Sequence, residues 1–278
     1  MSARKWTRAH TLLTLGTSII LVMAIMALFA PWLAPQDPEQ MSLAQHLEPP
    51  SMTHPFGLDE NGADVLSRVI FGARVSLGVA GAVISISALF GLLVGSIAGY
   101  FGGWVEQVLM RVVDMVYAFP SFLLALALVA VLGPSIRNLV LALCLTSWTG
   151  FARLVRGEVL HLKEREFVQS ARAVGASHAR ILVMHIWPNL IALLIVQSTF
   201  AVAGTIIAES GLSFLGLGVP PMTPTWGSLL NSGRRVIGEA PHISFAAGLA
   251  ILAVVLGFNL AGDGLRDLLD PRRGRSRI

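Results

Sequence analysis

The sequence predicts an all-α, polytopic membrane protein with six transmembrane helices and one cytoplasmic helical hairpin. Three observations carry this reading. Of 278 residues, 54% are hydrophobic and 13% charged, about half the charged share of an average soluble domain. Several stretches free of Asp, Glu, Lys and Arg approach the ~20 apolar residues that cross a bilayer. The basic residues gather on alternate connections, as they do on the cytoplasmic side of a membrane. The net charge of +4 therefore calls for a lipid bilayer as partner and for no nucleic acid. The single Cys144 lies in an apolar run and has no second cysteine for an intrachain disulfide.

Taken in order, a basic N-terminus (1–10) precedes the first span, Thr11–Leu33, within an anchor segment 11–34. Its apolar stretch exceeds the ~7–15 residues of a signal-peptide core, so it is expected to be retained. Pro35 opens "PQDPEQMSLAQHLEPPSMTHPFG", which is Pro-rich and without apolar periodicity; residues 35–73 are expected to form an extracytoplasmic loop. The core, 74–265, begins with the charge-free run between Arg74 and Glu106, whose "GVAGAVISISALFGLLVGSIAGY" is a span rich in small residues. Such residues let membrane helices approach closely, and these Gly and Ala faces are expected to meet a partner subunit. "GYFGGW" makes a turn. The third span, Val112–Leu132, carries a kink at Pro120, which neighbouring helices tolerate in a bilayer. The fourth span is short, Asn138–Ala152, and needs Arg153 and Arg156 to snorkel to the interface. The fifth is Leu190–Ala208. "GLSFLGLGVPPMTPTWGSLLNSG" is broken by Gly and Pro and reads as interfacial or re-entrant. The sixth span is Ile243–Leu260, and a basic tail occupies 266–278.

With both termini cytoplasmic, fifteen of the twenty basic residues fall inside and five outside. A seventh span through Gly211–Gly233 would export the basic tail and is rejected on that ground. The topology places "EFVQSARAVGASHARILVMHIWPN", Glu166–Asn189, in the cytoplasm. Arg165–Val174 has helix formers and no breaker, Gly175 interrupts, Ser177 can cap a second helix, and Pro188 ends that helix or opens the next. Two short helices bent at a glycine and tied to two spans can dock in a groove of another protein and transmit its movement. Gly175 is expected to hold a turn with positive φ. Other chemistry is poorly served. No H-E-x-x-H occurs, "GLSFLG" does not satisfy G-x-S-x-G, and neither Lys5 nor Lys163 follows Gly as a phosphate loop requires. No His cluster supplies a metal site. Two ionisable groups near the spans are pathway or gate candidates: Asp114, expected to pair with Arg111, and Glu209, expected to anchor the re-entrant segment through backbone N–H groups.

The hairpin resembles the coupling loop of permease subunits in ATP-binding cassette importers, whose pattern is Glu-Ala-Ala, three residues, Gly, nine residues, then Ile-x-Leu-Pro. Gln169, Ser170 and Ala171 take the first places, Gly175 the glycine, and His185, Trp187 and Pro188 the last. "KEREFVQSARAVGA", "GLDENGADVLSRVIFGARVSL", "ESGLSFLGLG" and "GDGLRDLLDPR" are similar to the second permease subunit of dipeptide, oligopeptide and nickel importers, with Ala63 where that group usually has Arg. The resemblance implies a bacterial inner-membrane, multi-pass subunit that translocates di- or oligopeptides, or alternatively nickel or a metal chelate. It implies a heterodimer with a homologous permease, two ATP-binding subunits and an extracytoplasmic substrate-binding protein. ATP and Mg would sit in the partner ATPases, leaving no cofactor in this chain. The coupling loop would be 159–189, with Glu166, Gln169, Ser170, Ala171, Gly175, His185 and Pro188 gripping the ATPase.

Overall fold

The computed structural model describes residues 3–220 and 222–269; the basic tail beyond Leu269 lies outside them. Among the described residues the chain is helical apart from its connections and one isolated bridge, Leu58–Asp64. The helices are α1 (Ala3–Leu28), α2 (Ala30–Leu33), a 3-10 turn (Leu43–Gln45), α3 (Val65–Phe101), α4 (Gly103–Tyr117), α5 (Ser121–Leu132) and α6 (Ile136–Leu162). They continue with α7 (Glu166–Ala173), α8 (His178–Arg180), a π-helical stretch (Ile181–Ile186), α9 (Trp187–Phe214), α10 (Trp226–Arg235) and α11 (Pro241–Leu269). Five helices are long and apolar enough to cross a membrane, and the bent pair α4–α5 makes a sixth.

Glycines set which helices touch. Gly91, Gly95 and Gly99 line one face of α3, and a Cβ on each would fall within 3 Å of Phe151, Ala152 and Arg156 atoms of α6. The two backbones therefore lie in close contact, as small residues at four-residue spacing permit. Part of the small-residue set of the second span is thus consumed inside the chain, whereas at Gly78 and Gly81 of the same helix an added Cβ would meet nothing within 4 Å. Gly16 of α1 approaches Gly257 and Ala261 of α11 in the same way, and Gly264 approaches Leu13. α9 packs between α3 and α11, where Val65, Val69, Ile206, Ile243 and Val254 form one core with the fully buried Trp226 of α10.

Polar side chains fix the ends. Asp64 caps α3, accepting from the Ser67 amide at 2.8 Å and the Ser67 hydroxyl at 2.7 Å. Ser135 caps α6, and Thr225 with Ser228 forms a capping box on α10. In the loop before α3, Asp59 accepts from the amides of Asn61 and Ala63 and pairs with buried Arg68. Ala63 is itself fully buried, so its methyl is packed into this turn.

Four further boundaries differ from the sequence reading. α3 starts at Val65 rather than at Arg74, because Asp64 supplies a cap that hydropathy does not register. The third span is not one kinked helix: α4 and α5 meet at 80°. Pro120 cannot donate a backbone bond and pushes Phe119 out of the helical region, so the ladder is broken rather than bent. The helix that carries the fourth span is the full α6, which runs on through Arg153 and Arg156. They pair with Asp114 and Glu106 of α4, which lets the helix carry charge for two more turns. The fifth span continues to Phe214, so "ESGLSF" is its last turns; the chain then folds back, with Asn231 of α10 donating to the Phe214 carbonyl at 2.6 Å. The ten residues of α10 rise about 15 Å, half a bilayer core.

Candidate functional site

The predicted hairpin is an elbow between α6 and α9. α7 closes with a Schellman bend. The Ala176 amide donates to the Ala171 carbonyl and the Gly175 amide to the Arg172 carbonyl, both at 3.0 Å, the paired bonds of that motif. Gly175 has φ +85°, the left-handed conformation that glycine adopts without a Cβ penalty. A Cβ at Gly175 would meet nothing within 4 Å, and the neighbouring Val174 is 89% exposed. The apex thus points away from the rest of the chain. Ser177 then accepts from the Arg180 amide, as the sequence predicts.

Beyond Ser177 the sequence reading is corrected. There is no separate second short helix, since α8 runs through the π-helical stretch into α9. Pro188 explains the widened turn. It has no N–H to give, and a standard turn would press its ring on the Met184 carbonyl. A π turn relieves both: the Trp187 amide bonds the Leu182 carbonyl, and the Asn189 amide side chain donates to the His185 carbonyl at 2.7 Å.

The base of the elbow is rigid. Val168, Ile181, Ile186 and Leu190 are fully buried and share a core with Tyr100, Val155 and Val159 of α3 and α6. Polar contacts fasten it further: the Tyr100 hydroxyl lies 3.0 Å from His178 Nδ1, the Trp187 indole donates to Ser96 Oγ at 3.1 Å, and Lys163 donates to the Gly99 carbonyl at 2.9 Å. A load on the apex therefore reaches α3, α6 and α9 together. Glu166, Gln169, Ser170, Gly175 and Pro188 are exposed, while Ala171 and His185 are half-buried. Gln169 donates to the Lys163 carbonyl at 2.9 Å, so this departure from the Glu-Ala-Ala pattern braces the first turn. Tyr100 and Ser96 escaped the sequence reading. Their signal was slight, two polar groups at the end of the small-residue span.

Asp114 and Glu209 lie elsewhere. Asp114 pairs not with Arg111 but with Arg153 of α6 at 2.5 Å, and the Arg153 guanidinium sits 4.0 Å over the Tyr117 ring. Proximity along the helix lost to a neighbouring helix already held close by Val113 and Trp148. Glu209, about 30 Å along α9 from the elbow, is fully buried. It accepts from Ser76 Oγ at 3.0 Å, Ser213 Oγ at 2.9 Å and Ser210 Oγ at 3.3 Å. Serine hydroxyls, not the expected backbone N–H groups, hold it, and through Ser76 it ties α9 to α3. Among the described residues no three His, Cys, Asp or Glu are placed to hold a metal ion.

Comparisons with known proteins agree with this architecture. The family profile described as binding-protein-dependent transport system inner membrane component matches residues 91–275. A second, the N-terminal TM domain of oligopeptide transport permease C, matches residues 3–50. The glutathione transport system permease protein GsiD of Escherichia coli O6:K15:H31 is 44% identical over 97% of this chain and 89% of its own. The dipeptide transport system permease protein DppC of Alkalihalophilus pseudofirmus is 41% identical over the same shares. Among solved structures, a chain of the MetNI methionine ABC transporter in inward-facing conformations superposes with TM-score 0.55 at 15% identity, covering 70% of this chain and 93% of that one; this likeness concerns the fold. The chain belongs to the inner-membrane permease family of binding-protein-dependent ABC importers, in its dipeptide and oligopeptide branch, and is a transport subunit rather than an enzyme.

Proposed function

We propose that the chain imports short peptides as one half of a heterodimeric permease, driven by an ATPase that grips the elbow from the cytoplasm. The observation that carries the coupling role is the elbow itself: an exposed apex at Val174 and Gly175 on a base locked to three helices. An apex with no packing partner of its own offers a docking surface, and the locked base turns docking into helix movement. Glu166, Gln169, Ser170, Gly175 and Pro188 are the exposed residues that would face the ATPase; Ala171 and His185 would hold the base.

Peptide as cargo rests on the relatives, whose names specify glutathione, itself a tripeptide, and dipeptides. Cytoplasmic placement of the elbow and both termini rests on the basic-residue bias. ATP and Mg would be held by two ATPase subunits, and a binding protein would deliver substrate from the opposite face. The test is reconstitution with the cognate subunits in proteoliposomes. Uptake of labelled di- and tripeptides should require both ATP and the binding protein, and should continue when nickel is chelated. Uptake that follows a proton gradient without the ATPases would refute the reading.

A further inference from the structure

A cavity of about 530 Å³ lies between α9, α6 and the break that joins α4 to α5. Its three walls differ in chemistry. The break supplies the aromatic rings of Tyr117, Phe119 and Phe122; α6 supplies the hydroxyls of Thr146, Ser147 and Thr149; α9 supplies Gln197, Ala201, Gly204, Thr205 and Ala208. No Asp, Glu, Lys, Arg or His lines it. The α9 positions 197, 201, 204 and 208 are spaced as one helical face.

Two details of its lining fit a space that serves a ligand. The first is Gln197. Its carboxamide makes no hydrogen bond with any described residue, yet it sits in the middle of a span. Gln197 is half-buried and opens onto the cavity, and an amide in an apolar span needs a hydrogen-bonding partner, which a ligand here would supply. By contrast, the hydroxyls of Thr149 and Thr205 already donate to the carbonyls of Thr146 and Ala201 at 2.9 and 2.8 Å, so they present acceptor lone pairs only. The second is Gly204, which is exposed and whose added Cβ would meet nothing within 4 Å. Gly91 and Gly95 leave no such room, and among the helical glycines that do, which include Gly78, Gly81, Gly157 and Gly248, Gly204 is the one that lines this cavity. At Gly204 the missing side chain keeps space open.

We infer that this cavity is the chain's share of the substrate passage, and that it sorts peptides by size rather than charge. Gln197 is its hydrogen-bonding residue for the peptide backbone, and Gly204 fixes the room for side chains. A volume of about 530 Å³ lies within the ~300–1,000 Å³ of small-molecule sites. A donor–acceptor amide beside acceptor hydroxyls complements peptide N–H and C=O groups, and the aromatic wall suits side chains of any polarity. With no ionised group on the wall, acidic, basic and neutral peptides meet the same surface. Tyr117 forms one corner, held by Arg153, whose other bond is to Asp114.

The inference rests on the peptide-import reading, and its test separates the two. The assembled importer is reconstituted with wild-type chain, Gly204→Ala, Gly204→Trp or Gln197→Leu, and uptake is compared across peptides with small, bulky, acidic and basic side chains. Ratios of variant to wild type cancel the binding protein's own preference. Gly204→Ala should stay within about twofold of wild type for every peptide, since a methyl fills little of the cavity. Gly204→Trp should lower uptake of bulky peptides roughly tenfold or more, beyond any loss for dialanine, with the ATPases still bound. Gln197→Leu should lower uptake of all peptides roughly fivefold, irrespective of charge, as expected for one lost hydrogen bond. Wild-type uptake that both Gly204→Trp and Gln197→Leu leave unchanged overturns the passage assignment. A loss in Gln197→Leu confined to peptides of one charge overturns the charge-blind reading. Should Gly204→Trp fail to assemble, the Gln197→Leu result decides alone. A wild-type complex that takes up no peptide refutes the peptide-import reading instead.

Discussion

Replacing Gly175 tests whether the bend at the elbow does more than join two helices. The residue has φ +85°, where a Cβ costs roughly 1–2 kcal/mol. Within the chain this is the whole cost, because the added Cβ would touch nothing within 4 Å. The penalty corresponds to a factor of about 5–30 in the ratio of bent to opened chains. Opening the bend also releases the two bonds from the Gly175 and Ala176 amides. Gly175→Ala should therefore weaken ATPase co-purification several-fold. Gly175→Val adds a β-branched side chain at an exposed apex and should uncouple ATP hydrolysis from uptake. Asn enters the left-handed region more readily than other residues with a side chain, so Gly175→Asn should fall between wild type and Gly175→Ala. All three should insert at wild-type abundance, since the buried base around Val168, Ile181 and Ile186 is untouched. The assay pairs ATPase co-purification with peptide uptake in the same cells. Normal docking and normal uptake in Gly175→Val would refute the reasoning and leave the elbow a passive connector.

Other outcomes follow from the packing and the polar contacts. Gly95→Val should destabilise the chain by about 1–3 kcal/mol, because its Cβ would lie 2.4 Å from the Ala152 carbonyl oxygen; thermal aggregation in detergent reads the change. Glu209→Ala strands the hydroxyls of Ser76, Ser210 and Ser213 and should cost about 1–3 kcal/mol, while Glu209→Gln, which keeps an acceptor, should melt closer to wild type. Asp114→Asn should change the melting point little, since its pair with Arg153 is half-exposed and such pairs contribute about 0–1 kcal/mol. A cysteine at Ser177 should react with an impermeant thiol reagent from the cytoplasmic side alone and one at Ser51 from the opposite side alone; the reverse pattern would invert the topology.

Membrane character, the order of spans and the glycine bend were legible in the sequence because each is a local property. Hydropathy marks a span by its own residues, and Gly175 sits between two helix-forming runs with a cap following. What was not legible depends on neighbours. Nothing near Arg153 or Arg156 in the chain announces that Asp114 and Glu106 lie alongside, so charges that complete α6 read as its end. The small-residue stripe Gly91, Gly95, Gly99 signals a close helix contact without saying whose helix. The bend at Pro120 was visible, its 80° angle was not, because the angle is fixed by what α5 packs against. Within the candidate site, Gly175 has the expected positive φ and Ser177 the expected cap, whereas the π turn before Pro188 required knowing that the helix continues through it. Gln197 stood in plain view as the one carboxamide of the fifth span. Its meaning emerged from the cavity it faces.

The claim that the elbow is where the ATPase grips is tested most directly by photocrosslinking. A photoreactive amino acid is placed at Val174, 89% exposed at the apex, and at Phe245, 70% exposed on α11, in the complete importer within membranes. Strong crosslinking of Val174 to an ATP-binding subunit, changing in yield when ATP is added, with none from Phe245, is the expected result. An apex that crosslinks only to lipid or to the homologous permease, with or without ATP, would contradict the account.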